Sequence, residues 1–92
     1  MRLRRREALT AMELQHGCRS EYGPLELRIQ TTDSLNGFMV YVEDTRLDNS
    51  RVYEEAVQST LESAKDSLVL RARDYLDSHK EAAEHTVDWR CS

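Results

Sequence analysis

Residues that break helices and strands are scarce in this sequence, and they occupy only its first part. The chain has one proline and three glycines, and all four lie between Gly17 and Gly37. Glycine and proline mark turns, so their absence after residue 37 indicates that the rest of the chain forms longer regular elements. The sequence also lacks any apolar run of roughly 18 residues, the length that a transmembrane helix needs. We therefore expect no association with a membrane.

Positive charge is also in deficit, with 13 Lys and Arg against 17 Asp and Glu and a formal net charge of −4. Nucleic-acid binders need an excess of basic side chains on at least one face, so this balance argues against a nucleic-acid partner. Four arginines lie within residues 1–11, where Glu7 is the only acid. We predict a flexible basic N-terminal arm over residues 1–11. No apolar stretch typical of a secretory signal follows it, which predicts a cytoplasmic location.

Motifs for catalysis or metal binding are missing as well. His16 and Cys18 lie on one face of a predicted strand and are the nearest approach to a nucleophile–base pair, but no third group is positioned to orient them. Adding His85 and Cys91 gives four metal ligands without the paired spacing of a structural zinc site. We therefore predict no catalytic residue, no metal and no cofactor, and a protein that is not an enzyme. The two cysteines suit reduced thiols or a disulfide, and a cytoplasmic location favours thiols.

Three segments in the first half alternate apolar and polar residues, as strands with one buried face do. They are residues 12–18, Leu25–Thr32 and Phe38–Thr45. Asn36-Gly37 between the last two is a strong hairpin signal. A two-residue loop at this pair and a four-residue loop over 34–37 both place the apolar residues of the two strands on one face. We favour the four-residue loop, which sets Thr31 opposite Val40.

Apolar residues recur every three or four positions after Arg51, which is typical of an amphipathic helix. The stripe consists of Tyr53, Val57, Leu61, Ala64, Leu68, Ala72 and Tyr75. We predict one helix over residues 51–78, capped by a residue of the segment 48–50. Alternation returns at Val87, Trp89 and Cys91 and predicts a short final strand.

These elements predict an α+β fold of order β-β-β-α-β. In this fold a mainly antiparallel sheet carries one long amphipathic helix on one face, and residues 12–92 form a single domain. A last strand that lies beside the first strand and parallel to it gives the sheet order 3-2-1-4 and brings Cys18 near Cys91. The predicted core consists of Leu27, Ile29, Phe38, Val40, Val42, Val57, Leu61, Ala64 and Leu68.

Two stretches, GFMVYVED and VYEEAVQSTLESAKDSLVLRARDYL, resemble part of a HicB-type antitoxin domain, in which an aromatic-valine strand leads into a helix. The resemblance covers residues 25–76. The Asp-Leu-Pro-Gly-Cys segment of that family and its DNA-binding extension are missing here. The resemblance implies a sheet-plus-helix fold and, as an alternative function, the binding of a small toxin partner.

Large apolar residues at positions that should face water predict self-association. Met39 and Tyr41 lie on the polar face of the third strand, and Leu70 lies on the helix face opposite the stripe. A helix over 51–78 would also exceed its own sheet by roughly 15 Å, and this overhang carries Tyr75 and Leu76. We therefore expect a small non-enzymatic interaction or regulatory module that forms a homodimer through these five residues, with a different protein partner as the alternative.

Overall fold

The structure, a computed structural model, describes residues 17–31 and 37–91 and has the α+β class that the sequence predicts. Within these residues, five antiparallel strands form one sheet of order β4-β3-β2-β1-β5, and one helix follows the fourth strand. The predicted arm over residues 1–11 and the start of the first predicted strand lie outside the described residues. The elements are β1 (Cys18–Tyr22), β2 (Leu25–Thr31), β3 (Phe38–Asp44), β4 (Arg51–Val57), α1 (Leu61–Ser78) and β5 (Arg90–Cys91).

Strands β2 and β3 are the centre of the apolar face, as their alternation predicts. Ile29 pairs with Val40 and Leu27 with Val42, and these side chains are fully buried. Thr31 pairs with Phe38, so the two strands join over residues 32–37 and the predicted four-residue loop is wrong. The true pairing differs from the predicted one by two residues. A shift of two leaves every side chain on its face, so alternation cannot distinguish the two registers.

A two-residue turn at Gly23-Pro24 joins β1 to β2 and sets their register. Tyr22 pairs with Leu25, and Gly23 has a φ of 58°. A positive φ at the first loop position is the geometry of a type II′ hairpin turn, which glycine adopts without strain. A Cβ atom at Gly23 would also lie 2.6 Å from the Nε2 atom of His85. The turn therefore requires glycine for both its backbone conformation and its packing.

Residues 51–57 form strand β4 and not the first two turns of the predicted helix. Tyr53 pairs with Val42 and Val57 with Phe38, so both face the helix side of the sheet. Two apolar residues four positions apart share a face in a helix and also in a strand, which explains the wrong prediction. The helix begins instead after Thr60, whose Oγ1 accepts a hydrogen bond of 3.1 Å from the backbone N–H of Ser63.

The additional strand reverses the direction of everything that follows it. Strand β5 lies beside β1, as the predicted order 3-2-1-4 requires, but it runs antiparallel to β1 and not parallel. The chain reverses its direction at each new strand of a meander. The additional strand β4 therefore makes the last strand run opposite to the predicted direction. Of the described residues after α1, only Arg90 and Cys91 pair with β1, so the final strand is shorter than the alternation from Val87 predicts.

The helix matches the sheet in length. Its 18 residues span about 27 Å, and strands of seven residues span about 23 Å. The overhang from which we predicted an interface role for Tyr75 and Leu76 therefore does not exist. Leu76 is completely buried in its own chain, and Tyr75 packs against the same core.

The core lies between α1 and the apolar face of the sheet. On the helix its residues are spaced by four, and the small and large side chains alternate, so the helix axis can approach the sheet closely. Six predicted core residues are buried: Leu27, Ile29, Val40, Val42, Ala64 and Leu68. Phe38, Val57 and Leu61 are partly buried at its margin. The prediction missed Cys18, Tyr22, Leu25, Ala72 and Leu76.

The helix ends in a Schellman motif without its usual glycine. The N–H of Glu81 donates to the carbonyl of Leu76 over 2.9 Å, and the N–H of Lys80 donates to the carbonyl of Asp77 over 3.0 Å. These bonds satisfy carbonyls that the helix leaves without partners. Lys80 adopts a φ of 60°, a left-handed conformation in which its Cβ is crowded.

The Lys80→Gly substitution is expected to raise the free energy of unfolding by about 1 kcal/mol, because glycine adopts this conformation without crowding. Urea titration of the purified chain measures the change. The control is Leu70→Gly in the exposed middle of the helix, which we expect to lower stability by about 0.5–1 kcal/mol. Destabilisation by Lys80→Gly would contradict the assigned helix end.

Cys18 and Cys91 form a disulfide, with their Cα atoms 3.9 Å apart. The predicted proximity of the two cysteines is confirmed, but the structure joins them where we expected separate thiols. They occupy opposite positions in the antiparallel pair of β1 and β5, which brings the two sulfurs together. The bond ties the last described residues to the first strand across a separation of 73 residues.

Reduction of this disulfide is expected to lower the free energy of unfolding by about 2–4 kcal/mol, because it frees a long loop in the unfolded chain. The fluorescence of Trp89, the only tryptophan, reports the local change, since its half-buried ring packs against the core two residues before Cys91. Cys91→Ser should show the lower stability without a response to reductant. Equal stability of the oxidised and reduced chains would contradict this account.

Candidate functional site

The face of the sheet that is turned away from α1 carries no covering element among residues 17–31 and 37–91. We call it the open face. Its side chains come from all five strands because residues along each strand point alternately to the two faces. Met39 and Tyr41 lie at its centre, on β3, and are half-buried by their neighbours. The other residues of the open face are Arg19, Glu21, Glu26, Arg28, Gln30, Glu43, Arg51, Glu54, Ala56 and Arg90.

Charges on the open face are ordered in two rows that run across the strands. The register sets Arg90 opposite Arg19 and Arg19 opposite Arg28, and we call these three residues the arginine row. It continues across β3 and β4 through Tyr41 and Glu54. The neighbouring row holds Glu21, Glu26 and Glu43 in direct opposition, and we call it the glutamate row. It ends on β4 at Arg51.

The β3–β4 part of the open face has its charges paired within the chain. Arg51 lies 3.5 Å from carboxylate oxygens of both Glu43 and Glu54, and its guanidinium stands 4.1 Å above the ring of Tyr41. Glu43 also receives a longer contact of 3.9 Å from Arg28. These contacts hold the side chains of this part against the sheet.

The β1–β2–β5 part of the open face has its charges largely unpaired. Within the described part of the chain, Arg19, Glu21 and Glu26 make no ion pair. Arg90 contacts only the exposed Asp88, at 3.4 Å. Side chains directly opposite in neighbouring strands have Cβ atoms about 4.5–5.5 Å apart, and like charges at that distance destabilise a sheet.

Two open grooves lie where the C-terminal segment meets this part of the open face. One has a volume of about 390 Å³ and the other of about 340 Å³. Arg19 and Arg90 line both grooves, while Glu21 and Glu26 line the first and Arg28 the second. The grooves therefore leave the charged ends of both rows open to an approaching surface.

A second polar cluster surrounds Asp44, where β3 ends. Asp44 is 2 % exposed, and its Oδ1 accepts hydrogen bonds from the backbone N–H of Arg46 at 3.1 Å and from its Nε at 2.9 Å. The Oδ2 atom accepts from a terminal nitrogen of Arg46 and from the hydroxyl of Tyr75, both at 2.9 Å. The Arg46 guanidinium continues to Glu81 at 2.8 Å. The cluster thus joins the turn after β3 to the end of the helix.

This cluster has the chemistry of a structural clamp. Hydrogen bonds from Arg46 hold the pKa of Asp44 well below its usual range, whereas burial and the bond to Asp44 raise the pKa of Tyr75. A general base works best with a pKa near the working pH and with a lone pair free for the substrate proton. Asp44 offers neither, since both of its oxygens already accept hydrogen bonds.

The candidates for nucleophilic or metal chemistry are not assembled into a site. His16 lies outside the described residues, and Cys18 is held in the disulfide. His85 places its ring edge-on to Tyr22 at 5.2 Å and contacts the carbonyl of Ala82 at 2.9 Å. No group of three His, Cys, Asp or Glu side chains in residues 17–31 and 37–91 is arranged to hold a metal ion. The described helix lacks the length and apolar character needed to span a membrane.

The five predicted interface residues lie in three different places. Met39 and Tyr41 share the open face. Leu70 is 55 % exposed on the outer side of α1, which is the opposite side of the molecule. Tyr75 and Leu76 belong to the core of their own chain. Sequence reasoning missed the two charged rows, because they depend on the register between strands.

No family model matches this chain, and comparison with curated proteins and with solved structures also finds no significant match.

The Asp44→Asn substitution is expected to lower the free energy of unfolding by about 1–3 kcal/mol at pH 7, because Arg46 and Tyr75 lose a charged acceptor. The folded-state pKa of Asp44 lies below its unfolded value of about 3.9. Its contribution is therefore complete above that value and is lost as the pH falls toward the folded-state pKa. Urea titrations at pH 7 and at about pH 3 should show a smaller difference between the two chains in acid.

The exposed Asp48 in the same turn provides the matched control. Asp48→Asn should change stability by less than about 0.5 kcal/mol at either pH, as surface substitutions usually do. If the difference between wild type and Asp44→Asn were the same at both pH values, the carboxylate charge would not be the source of the stabilisation.

Proposed function

We propose that this protein is a non-enzymatic interaction module that binds another protein chain through the open face of its sheet. The observation that supports the proposal is that α1 covers one face of the sheet, while no element of residues 17–31 and 37–91 covers the other. The face without a cover places Met39 and Tyr41 at its centre and charges of both signs around them. Aromatic and methionine side chains inside a polar rim are the composition of protein–protein interfaces.

The charge of this face favours a protein over a nucleic acid as the partner. A phosphate backbone is bound by an excess of lysine and arginine. The open face instead sets four arginines beside four glutamates, and the whole chain is acidic. A partner must therefore present both signs of charge in a definite arrangement, and a folded protein surface does so.

The size of the open face supports a specific contact of modest strength. The five strands hold 28 residues, which at about 3.3 Å per residue and about 4.8 Å between strands give a face of roughly 440 Å². Two such faces in contact would bury about 900 Å², which is typical of weak, transient contacts and lies below the area of standard interfaces. We infer a reversible interaction that responds to concentration and salt.

Site-specific photocrosslinking tests the proposal. The chain is produced in the cells that encode it with p-benzoylphenylalanine in place of Tyr41, or in place of Leu70 on the opposite side of the molecule. We expect a discrete crosslinked product from position 41 and none from position 70. Absence of a product at position 41, or equal products at both positions, would contradict the role of the open face.

A further inference from the structure

We infer that the partner of the open face is a second copy of this chain, packed face to face about a two-fold axis that runs between the arginine row and the glutamate row. The inference rests on the proposed function and names its partner. It follows from the charges of the two rows, from the strand edges and from the area of the face.

The sign of the charge reverses between the two rows on three of the strands. Along β1, Arg19 is followed on the same face by Glu21. Along β2, Glu26 is followed by Arg28, and on β4 the pair consists of Arg51 and Glu54. Because neighbouring strands run in opposite directions, the arginines of β1 and β2 fall in one row and their glutamates fall in the other. On β4 the order is inverted: Glu54 ends the arginine row and Arg51 ends the glutamate row.

This arrangement is unfavourable within one chain. The closest neighbours on β1 and β2 are directly opposite residues, and there Arg19 meets Arg28 and Glu21 meets Glu26. The attractive partners along each strand are two residues apart, at about 6.6 Å. An isolated sheet therefore holds its like charges closer together than its unlike ones, which destabilises it.

The same arrangement is favourable between two copies. A two-fold rotation about an axis that is parallel to the rows and midway between them places each row over the other row of the second copy. Arg19 then faces Glu21 of the second copy, Arg28 faces its Glu26, and Glu54 faces its Arg51. Each pair occurs twice, as in any isologous interface. Unlike charges meet on β1, β2 and β4, and on β3 Tyr41 faces Glu43 of the second copy.

The edges of the sheet favour contact through the face over pairing of strands. At one edge, β4 exposes Arg51, Glu54 and Glu55, and charged side chains on an edge strand discourage the addition of another strand. At the other edge, the disulfide between Cys18 and Cys91 holds the C-terminal segment against β1. The open face is thus favoured over either edge as the contact surface for a second copy.

The central strand provides the sharpest test. Packed sheets cross at about 30°, so pairs at the centre of the face align best. Strand β2 is the middle strand of the five and carries Glu26 and Arg28. In a dimer of Arg28→Glu, the introduced glutamate of each copy faces Glu26 of the other copy. In a dimer of Glu26→Arg, the introduced arginine of each copy faces Arg28 of the other copy. A mixture of the two variants restores unlike pairs at both positions.

Light scattering and sedimentation velocity of the full chain at concentrations up to about 200 μM suit an interface of this size. We expect the wild-type chain to approach twice 10.7 kDa and to dissociate as salt is raised. Each single variant should have a mass near 10.7 kDa, and their equimolar mixture should regain the dimer mass. The doubly substituted chain Glu26→Arg/Arg28→Glu should dimerise as the wild type does.

Thermal unfolding of the single variants separates an interface role from a structural one. Glu26→Arg replaces like-charge oppositions with Glu21 and Glu43 by unlike pairs. Arg28→Glu gains an unlike pair with Arg19 and loses the 3.9 Å contact with Glu43. The melting temperature of either monomer should therefore fall by no more than about 4 °C. A wild-type chain that stays at 10.7 kDa, a single variant that remains dimeric, or a mixture that stays monomeric would overturn the inference.

The crosslinked product at position 41 distinguishes this inference from the proposed function. A product of twice the chain mass supports both. A product with a different protein, from a chain that is monomeric when pure, would overturn the second-copy inference and leave the proposed function standing. A product that joins position 41 to another segment of the same chain would overturn both.

Discussion

In the part of the chain that the structure describes, one helix covers one side of the sheet, and the arrangement of these residues follows from that constraint. Leu27, Ile29, Val40 and Val42 are removed from water under α1. Side chains alternate along a strand, so their neighbours necessarily emerge on the other side. An antiparallel sheet is stable with one wet face, and the residues on that face are then free of the demands of the core. The open face is therefore the part of this fold in which the core constrains the choice of residues least.

The parts of the chain that lie beyond this core are held by particular contacts. At the C-terminal end of the helix, the Schellman motif turns the chain so that Glu81 reaches Arg46, and Arg46 in turn neutralises the buried Asp44. Across the sheet, the disulfide and the hydrogen bond from the N–H of Asp88 to Ser20 hold the last segment to β1. Both devices connect segments that are distant in sequence, so they rigidify the surroundings of the open face without occupying it.

Elements in which the spacing of apolar residues fits only a strand or only a helix could be predicted from the sequence. Elements in which the spacing fits both could not. Strands β2 and β3 alternate over seven residues, and the helix from Leu61 repeats its apolar residues over 18, so these elements and the fold class are as predicted. Strand β4 contacts the core through Val52, Tyr53 and Val57, and the spacing of four between Tyr53 and Val57 suits either type of element. That single ambiguity also reversed the predicted direction of β5 and lengthened the predicted helix. The false overhang then led to the interface role predicted for Tyr75 and Leu76.

The two charged rows depend on which residues the register places side by side, so they could not be predicted from the sequence alone. Arg19 with Glu21 and Glu26 with Arg28 read as ordinary mixed charges on two wet strand faces. The two-residue turn at Gly23-Pro24 converts them into rows of like charge. A loop longer by two residues would set Glu21 opposite Arg28 and would leave every side chain on its face. Exposed ion pairs contribute at most about 1 kcal/mol each, less than the burial of one large apolar side chain. The turn and the core therefore determine the register, even though the surface charges alone would favour another one. The repulsion between like charges that results is a cost within the sheet.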